Sequence, residues 1–129
     1  MPGYMIDSTV MLAYLFDEPG GDQFESYIEG GAMSVVNYSE VIARLAREDA
    51  TAHRIEALKS NFPLSVVDFR KDVAEIAGEL IPYTREHGLS IGDRVCVAQA
   101  LFDDAIVVTA DKAWLPLSRI LSLPIELIQ

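Results

Sequence analysis

The sequence predicts a three-layer α/β fold, in which a five-stranded, mostly parallel sheet carries helices on both faces. Short runs rich in β-branched residues alternate with longer segments of helical periodicity along the chain. Strands separated by helices require βαβ crossovers, which place parallel strands side by side beneath helical layers. The chain has 129 residues, half of them hydrophobic, which suffices for one core, so we expect a single domain over residues 1–129.

The predicted elements follow one another along the chain with turn signals between them. The first half should contain the strand Gly3–Ile6, the helices Ser8–Phe16 and Asp22–Ile28, a strand within GGAMSVV, and the helices Tyr38–Glu48 and Ala50–Ser60. The second half should contain the strand Leu64–Val67, the helices Lys71–His87 and Gly92–Phe102, the strand AIVVT, a helical turn Ala113–Leu117 and the edge strand Pro124–Ile128. In parallel sheets of this kind ligands bind beyond the carboxyl ends of the strands. The strand-to-helix junctions are therefore where a functional site is expected.

Composition restricts the function classes. The formal net charge of −10 argues against binding of nucleic acid through a broad basic surface. A single cysteine, Cys96, excludes both a disulfide framework and a cysteine-based metal site. The apolar stretch Val10–Phe16 is too short to span a membrane, and no basic residue precedes it as in a signal peptide. We therefore expect a cytoplasmic protein with no membrane association.

Acidic residues stand at four predicted helix starts: Asp7, Glu40, Asp93 and Asp111. Each has a simple structural explanation as a helix cap. NYSE fits a capping box between Asn37 and Glu40, SIGD fits a looser box, and the other two acids fit plain N-caps.

Taken together, the same four acids suggest a metal site. Three of them follow strands that should lie side by side, so these three should point into one crevice. Carboxylates gathered there would repel each other unless a cation lay among them. Hard ions such as Mg²⁺ or Mn²⁺ prefer oxygen ligands of this kind. His53 and His87 lie on a charged helix and at a helix end, which makes them poor candidates for ligands.

Two further residues are candidates for supporting roles. Thr109 precedes Asp111 and would either bond a metal ligand or a metal-bound water, or simply end a strand. Arg94 would contact a phosphate, or pair with Asp93 or another acid. Lys112 also lies near the acids in the sequence and could help to position a phosphate.

The segments that carry these acids also resemble a known family. They resemble the PIN-domain ribonucleases, in particular the VapC-type toxins of bacterial toxin–antitoxin modules. In order, the segments are IDSTVMLAYLFDEPG, NYSEV, GLSIGDRVCVAQAL and VVTADKAW. The resemblance covers essentially the whole chain and implies a five-stranded parallel sheet. It also implies that Asp7, Glu40, Asp93 and Asp111 hold one or two divalent ions, Mg²⁺ or Mn²⁺, and cut RNA. It places Asp93 beside the other acids, although the helix of Asp93 does not follow a strand.

The resemblance further implies a homodimer and a cognate antitoxin protein. Two features suggest how an antitoxin would bind. An arginine could enter the acidic crevice and bond a carboxylate in a bidentate way. An apolar set on the first two helices could form a groove for an amphipathic segment. Its members could instead face the sheet, which is the preferred explanation for Leu12 and Phe16. This set consists of Leu12, Leu15, Phe16, Phe24 and Tyr27.

Three alternatives remain open from the sequence. A receiver-type phosphoacceptor domain shares the length and acidity, with Asp68 as the phosphorylated residue, but it requires an acidic pair where Asp7 stands alone. A haloacid-dehalogenase-like phosphatase requires a second aspartate where Thr9 stands. A PIN-like scaffold that binds partners without catalysis would not need to bind Mg²⁺.

Overall fold

The computed structural model describes residues 3–129 and contains a five-stranded sheet in the order β3-β2-β1-β4-β5. Each pairing between neighbouring strands is parallel. The predicted α/β fold with helices on both faces of the sheet is therefore confirmed. The strands are β1 Tyr4–Ile6, β2 Gly31–Ser34, β3 Ser65–Val67, β4 Ile106–Thr109 and β5 Ile125–Leu127.

The strand order creates a switch point next to β1. The chain builds β2 and β3 on one side of β1, then crosses over to add β4 and β5 on the other side. In open α/β sheets the crevice at such a reversal is the usual ligand site. The carboxyl ends of β2, β1 and β4 lie side by side, and Asp7 and Asp111 follow the two strands that flank the reversal. The prediction that three acid-bearing junctions are neighbours is therefore correct.

The helices form a layer on each face of the sheet. They are α1 Ser8–Leu15, α2 Val35–Arg47, α3 Ala52–Ser60, α4 Lys71–Glu79, α5 Ile81–Thr84, α6 Ile91–Asp103 and α7 Leu117–Ile120. Two buried apolar clusters fill the space between the layers. One joins α4, α6 and α7 to the sheet, and the other joins α1 and α2 to the opposite face. Cys96 is a fully buried free thiol in the first cluster, where it packs like a small apolar residue.

The start of α2 differs from the prediction in a way that matters for the site. GGAMSVV was expected to continue as a strand, but β2 ends at Ser34 and α2 begins at Val35 rather than at Tyr38. The Ser34 hydroxyl accepts a hydrogen bond from the Val36 amide at 3.2 Å, which is N-cap geometry. The capping serine thus overrides the strand preference of two consecutive valines.

The long helix predicted over Lys71–His87 is interrupted. α4 ends at Glu79, α5 follows with Pro82 in its first turn, and a 3-10 turn runs over Arg85–His87. Proline has no amide hydrogen and its ring clashes with the preceding turn, so it kinks or breaks a helix. Gly88 closes the segment with a φ of 70°, as predicted for a glycine beyond a helix end.

The remaining differences concern helix type and boundaries. The segment predicted as helix Asp22–Ile28 is a 3-10 helix, Gly21–Tyr27, and α3 begins two residues later than predicted, after the N-cap Thr51. The turn predicted over Ala113–Leu117 divides into a 3-10 turn, Lys112–Trp114, and α7. Within residues 3–129, no helix combines the length and apolar character that crossing a bilayer requires.

Candidate active site

Asp7 is fully buried at the end of β1. It occupies the N-cap position of α1, yet its side chain makes no capping hydrogen bond, so the plain N-cap explanation is wrong for this residue. Oδ2 instead accepts hydrogen bonds from the hydroxyls of Thr9 and of Thr109, the latter at 3.1 Å. Oδ1 is buried and has no hydrogen-bond partner among the described residues. A buried carboxylate oxygen without a partner is costly unless a proton or a cation meets it.

The two threonines define which oxygen of Asp7 is free. The Thr9 hydroxyl also accepts from the Ala110 amide at 3.1 Å, and the Thr109 hydroxyl accepts from the Asp111 amide at 3.1 Å. Each hydroxyl donates its one proton to Oδ2 of Asp7 and accepts a backbone amide hydrogen. Oδ2 is therefore the accepting, unprotonated oxygen. Oδ1, which has no partner among the described residues, is the oxygen open to a proton or a cation.

Burial raises the pKa of Asp7 from its ordinary 3.8 to about 7. The hydrogen bond from Thr9 opposes this rise, Asp93 adds to it, Thr109 opposes it and Glu40 adds to it. In the absence of a cation, Asp7 therefore carries a proton over much of the range in which an exposed aspartate is ionised. A bound cation would favour the ionised form.

Glu40 projects from α2 and is held by hydrogen bonds. Its Oε1 accepts from the Asn37 amide group at 2.7 Å and from the Ser8 hydroxyl at 3.1 Å. The Asn37 amide group also donates to the Gly92 carbonyl at 3.1 Å, which ties α2 to the start of α6. Asn37 is inside α2, so the predicted capping box between Asn37 and Glu40 is wrong. The two residues lie three apart on one helix face, where side chains meet.

Gly92 permits the close approach of α6 to Glu40. A Cβ atom added at Gly92 would lie 2.3 Å from Glu40 Oε2. No ordinary contact is that short, so any larger residue at this position would displace the carboxylate. The absence of a side chain at Gly92 thus allows the Glu40 carboxylate to lie against the first turn of α6.

Asp93 is part of the capping box predicted for α6. Its Oδ2 accepts from the Ser90 amide at 2.9 Å, and the Ser90 hydroxyl accepts from the Asp93 amide at 3.2 Å. Burial raises the pKa of Asp93; the hydrogen bonds with Ser90 oppose the rise, and repulsion from Glu40 and Asp111 adds to it. Asp93 also contributes to the raised pKa of Asp7. Asp93 therefore lies within electrostatic reach of the other three acids.

Asp111 is the exposed member of the group. Its Oδ1 accepts from the Ala113 amide at 3.0 Å, so its side chain caps the 3-10 turn that follows β4. The predicted N-cap explanation is therefore correct for Asp111, but it engages only one oxygen. Each of the four acids uses only one of its two carboxylate oxygens in this way. One oxygen bonds to the protein, and the other accepts no hydrogen bond within residues 3–129.

This arrangement fits a hard cation in its chemistry, although its side chains would have to move. Asp7 Oδ1 is the buried acceptor without a partner, and each of the other acids offers one oxygen of the type that Mg²⁺ and Mn²⁺ prefer. In the described part of the chain, no three Asp, Glu, His or Cys side chains are grouped closely enough to hold an ion as they stand. Coordination by several acids would therefore require them to turn towards Asp7.

The structure separates the two predicted supporting residues. Thr109 donates a hydrogen bond directly to Asp7. It is also the last residue of β4, so it ends a strand as the alternative prediction stated. Arg94 donates from Nη1 to the Ala77 carbonyl of α4 at 3.0 Å, and within residues 3–129 it forms no ion pair with an acid. The predicted pairing of Arg94 with Asp93 or another acid is therefore wrong. Its contact with a phosphate stays a prediction.

Four residues with roles in the site were not identified from the sequence: Ser8, Thr9, Asn37 and Gly92. A signal existed for two of them. Thr9 follows Asp7 by two residues, within reach of a short side-chain contact, and Asn37 precedes Glu40 by three. For Gly92 the sequence shows only a glycine in the first turn of a helix, which has many explanations.

Comparison with known proteins decides the family. The PIN domain family matches residues 4–119, which is most of the chain. The chain belongs to the PIN domain family. Curated protein sequences contain no significant match to it.

Several solved structures share its fold. The chain is similar to VapBC2 from Rickettsia felis bound to a DNA fragment from their promoter, with 18% identity over 98% of both chains and a TM-score of 0.74. It is similar to DNA-bound VapBC from Salmonella typhimurium, with 20% identity over 98% of both chains and a TM-score of 0.71. A third is VapBC-5 from Mycobacterium tuberculosis, with 21% identity over 99% of both chains and a TM-score of 0.57. At these identities the likeness concerns the fold.

Family membership excludes two of the alternatives. The chain is a PIN domain, so the receiver and dehalogenase-like interpretations are wrong. The strand order agrees, since a receiver sheet has the order 2-1-3-4-5 and this sheet has β3-β2-β1-β4-β5. Asp68 follows the edge strand β3, and β2 separates that strand from the strand of Asp7. The PIN scaffold without catalysis remains as the alternative to an enzyme.

Proposed function

We propose that this PIN domain is a metal-dependent endoribonuclease and the toxin of a type II toxin–antitoxin module. The observation that carries the proposal is the free, buried Oδ1 of Asp7 with three further acids around it, at the switch point of the sheet. A site built only for stability would not leave a carboxylate oxygen buried without a partner. The PIN family match supports nuclease chemistry.

In this proposal the four acids hold Mg²⁺ or Mn²⁺ and the neighbouring residues orient the acids. Asp7, Glu40, Asp93 and Asp111 would be the ligands. A divalent ion in such a site lowers the pKa of water and neutralises charge on a phosphodiester. The protein's part is orientation. Two threonine hydroxyls aim Asp7 Oδ1, while Ser8 and Asn37 hold Glu40 by its Oε1.

The charge of the chain is consistent with an RNA substrate only if cations are bound locally. Two divalent ions in the crevice would change the formal net charge from −10 to −6 and would neutralise the charge of the four carboxylates that repels phosphate. A loop or single-stranded region is the expected target, because its bases can be splayed out and reached.

The proposed partner is a cognate antitoxin, supported by the fold shared with VapBC complexes. Three members of the apolar set suggested for its binding line two separate cavities, and Phe16 and Tyr27 line neither of them. Leu15 and Phe24 line a cavity of about 540 Å³ together with Leu58 and Pro63, whereas Leu12 lines a different cavity. The cavity lined by Leu15 and Phe24 therefore remains the candidate groove for an amphipathic segment.

A homodimer and a cytoplasmic location complete the proposal. Several large apolar side chains are exposed, as expected of a protein that pairs with a second copy. They include Tyr83, Ile91, Phe102, Leu115 and Ile120. Light scattering at tens of micromolar should give the mass of a dimer, and a monomer would contradict this part of the proposal.

The decisive experiment is a cleavage assay on total RNA with Mg²⁺ or Mn²⁺, compared with the same reaction in EDTA. Cleavage should require the metal and should disappear in Asp7→Asn. Calorimetric titration with Mn²⁺ addresses the scaffold alternative directly. A folded protein that binds no divalent ion and cuts no RNA would favour the scaffold.

A further inference from the structure

A cavity of about 660 Å³ adjoins the site at Asp111, the one member of the four acids that forms part of its wall. It lies between α1, the turn that follows α1, α2 and the segment after β4. Thr9 and Asp111 belong both to its wall and to the site described above, so the two spaces are continuous. Its volume lies within the range of about 300–1,000 Å³ typical of small-ligand pockets. A substrate held at the acids would therefore have room to extend into this cavity.

One wall of the cavity is apolar and belongs to the protein core. Leu12 and Ala13 of α1 form part of it and are almost completely buried, so their positions are determined by packing. Pro19 and Ala110 extend this wall at either side. An apolar wall next to a phosphodiester-cutting site is suited to the flat face of an unpaired base.

Arg44 lies on the opposite side of the cavity and carries several hydrogen-bond donors. Its Nε donates to Glu48 Oε1 at 2.9 Å, and its guanidinium lies over the ring of Phe16 at 4.9 Å. Its Nη2 is 3.9 Å from Glu18 Oε2, which is too far for a hydrogen bond. The guanidinium is thus held by Glu48 and Phe16 and forms a long ion pair with Glu18, while its terminal nitrogens donate no hydrogen bond within residues 3–129. Glu18 also lines the cavity and supplies an acceptor beside these donors.

Lys112 is the second cation of the cavity wall and directly follows Asp111. It is exposed, and within residues 3–129 it forms no ion pair. With a formal net charge of −10, the chain repels nucleic acid at long range, so local cations have to hold any phosphate near the site. Lys112 is placed beside the acids to do so.

We propose that this cavity binds the nucleotide adjacent to the scissile phosphate of single-stranded RNA. The base lies against Leu12 and Pro19, its edge meets Arg44 and Glu18, and Lys112 contacts a phosphate. The inference rests on the proposed ribonuclease function and adds a subsite to it. Only an unpaired base can turn into such a cavity, so the subsite selects single-stranded over double-stranded RNA.

Equilibrium binding tests the subsite independently of catalysis. The probe is a fluorescein-labelled single-stranded RNA octamer of mixed sequence, and the protein carries Asp7→Asn so that it cannot cleave. Adding Arg44→Gln or Lys112→Gln should raise the Kd from fluorescence anisotropy by roughly tenfold each. Lys112→Gln should also reduce the slope of log K against log salt by about 0.7, the value for one phosphate contact on a single strand. The matched control is Arg47→Gln, an exposed arginine of the same helix, which should change neither quantity.

Cleavage by the protein with native Asp7 gives a second readout. Sequencing of the cut ends should show that Glu18→Gln changes the base preference at one position on one side of the cut. Suppose that the wild type cleaves RNA and Asp7→Asn does not, but that the variants of Arg44, Lys112 and Glu18 behave like Arg47→Gln. The proposed subsite is then refuted, and the proposed ribonuclease function is retained. If no RNA is cut, the proposed ribonuclease function is refuted. The anisotropy series then still decides the subsite, and a Kd insensitive to Arg44 and Lys112 refutes it. Thermal melts of each variant identify any loss of RNA binding or cleavage that is caused by misfolding. Lys112 is exposed to solvent, so Lys112→Gln is the substitution least expected to disturb the fold.

Discussion

Thr109 and Asp7 are joined by a hydrogen bond of 3.1 Å although they are 102 residues apart in the chain. The same threonine oxygen accepts the amide of Asp111, so one hydroxyl connects two of the four acids. Thr9 repeats the pattern with the Ala110 amide. Both hydroxyls donate to the same oxygen of Asp7, and the other oxygen is left for a proton or a cation.

Neutralising the central acid should remove activity without unfolding the protein. We expect Asp7→Asn and Asp93→Asn each to reduce metal-dependent RNA cleavage by at least about a hundredfold, because a ligand to the ion is lost. Circular dichroism should show the native fold in both. The metal-free form should be as stable as the wild type or more stable, since repulsion among the acids is relieved. Cleavage at the wild-type rate by either variant would show that the site is wrongly assigned.

The raised pKa of Asp7 predicts a pH dependence of stability in EDTA. Between about pH 4 and pH 7 the folded protein keeps a proton on Asp7 that the unfolded chain releases. Stability is therefore highest below the unfolded pKa and is lost as the pH rises through the folded pKa. A rise from 3.8 to about 7 corresponds to roughly 4 kcal/mol. Asp93 acts in the same direction.

The comparison that isolates this contribution is the difference in free energy of unfolding between the wild type and Asp7→Asn. Urea melts across the pH series should show that the wild type loses stability relative to Asp7→Asn as the pH rises. Groups that titrate equally in both proteins cancel in this difference. A difference that is constant with pH would mean that Asp7 is ionised throughout, contrary to the burial argument.

Thr109→Val tests the threonine that joins Asp7 and Asp111. The substitution preserves shape but removes a donor to Asp7 and the acceptor of the Asp111 amide. We expect a loss of about 1–3 kcal/mol in the free energy of unfolding. We also expect Mn²⁺ affinity, measured by calorimetry, to fall by about 10- to 100-fold. Thr84→Val is the matched control, because Thr84 is also buried and bonds to the Leu80 carbonyl of its own helical segment. It should lower stability without changing Mn²⁺ affinity.

Gly92→Ala tests the close contact between α6 and Glu40. An alanine Cβ would lie 2.3 Å from Glu40 Oε2, so the carboxylate has to move and Mn²⁺ affinity should fall by roughly tenfold or more. The control is Gly78→Ala in α4, where a Cβ meets nothing within 4 Å. That change should stabilise the protein by about 0.5–1 kcal/mol and leave metal binding unaltered. Equal Mn²⁺ affinity in the two variants would remove the proposed role of Gly92.

An arginine of the antitoxin entering the crevice predicts competition with metal. Raising Mg²⁺ should weaken the complex, and Asp7→Asn or Asp111→Asn should weaken it as well, because the arginine loses a charged partner. Calorimetry of the pair across a Mg²⁺ series measures this. Affinity independent of Mg²⁺ and of both substitutions would indicate inhibition by covering the site rather than filling it.

Local patterns in the sequence are enough to predict the sheet, its helical layers and the crevice. The alternation of apolar strands and helices defines a parallel α/β sheet, and acids at the strand ends then meet at one edge. The capping box of Ser90 and Asp93 is also local and was predicted correctly. The start of α2 was misplaced because Val35 and Val36 favour a strand, whereas the Ser34 cap at the end of β2 begins a helix.

The chemistry of individual oxygens depended on contacts between distant segments. The bonds from Thr109 to Asp7 and from Asn37 to Gly92 cross the fold. The first exists because β1 and β4 pair with Ile6 opposite Val108, which brings the ends of both strands together. Arg94 turned to the Ala77 carbonyl because α4 packs against α6, not because of any neighbour in the sequence. Such contacts depend on strand register and helix packing, and short-range residue patterns do not encode either of them.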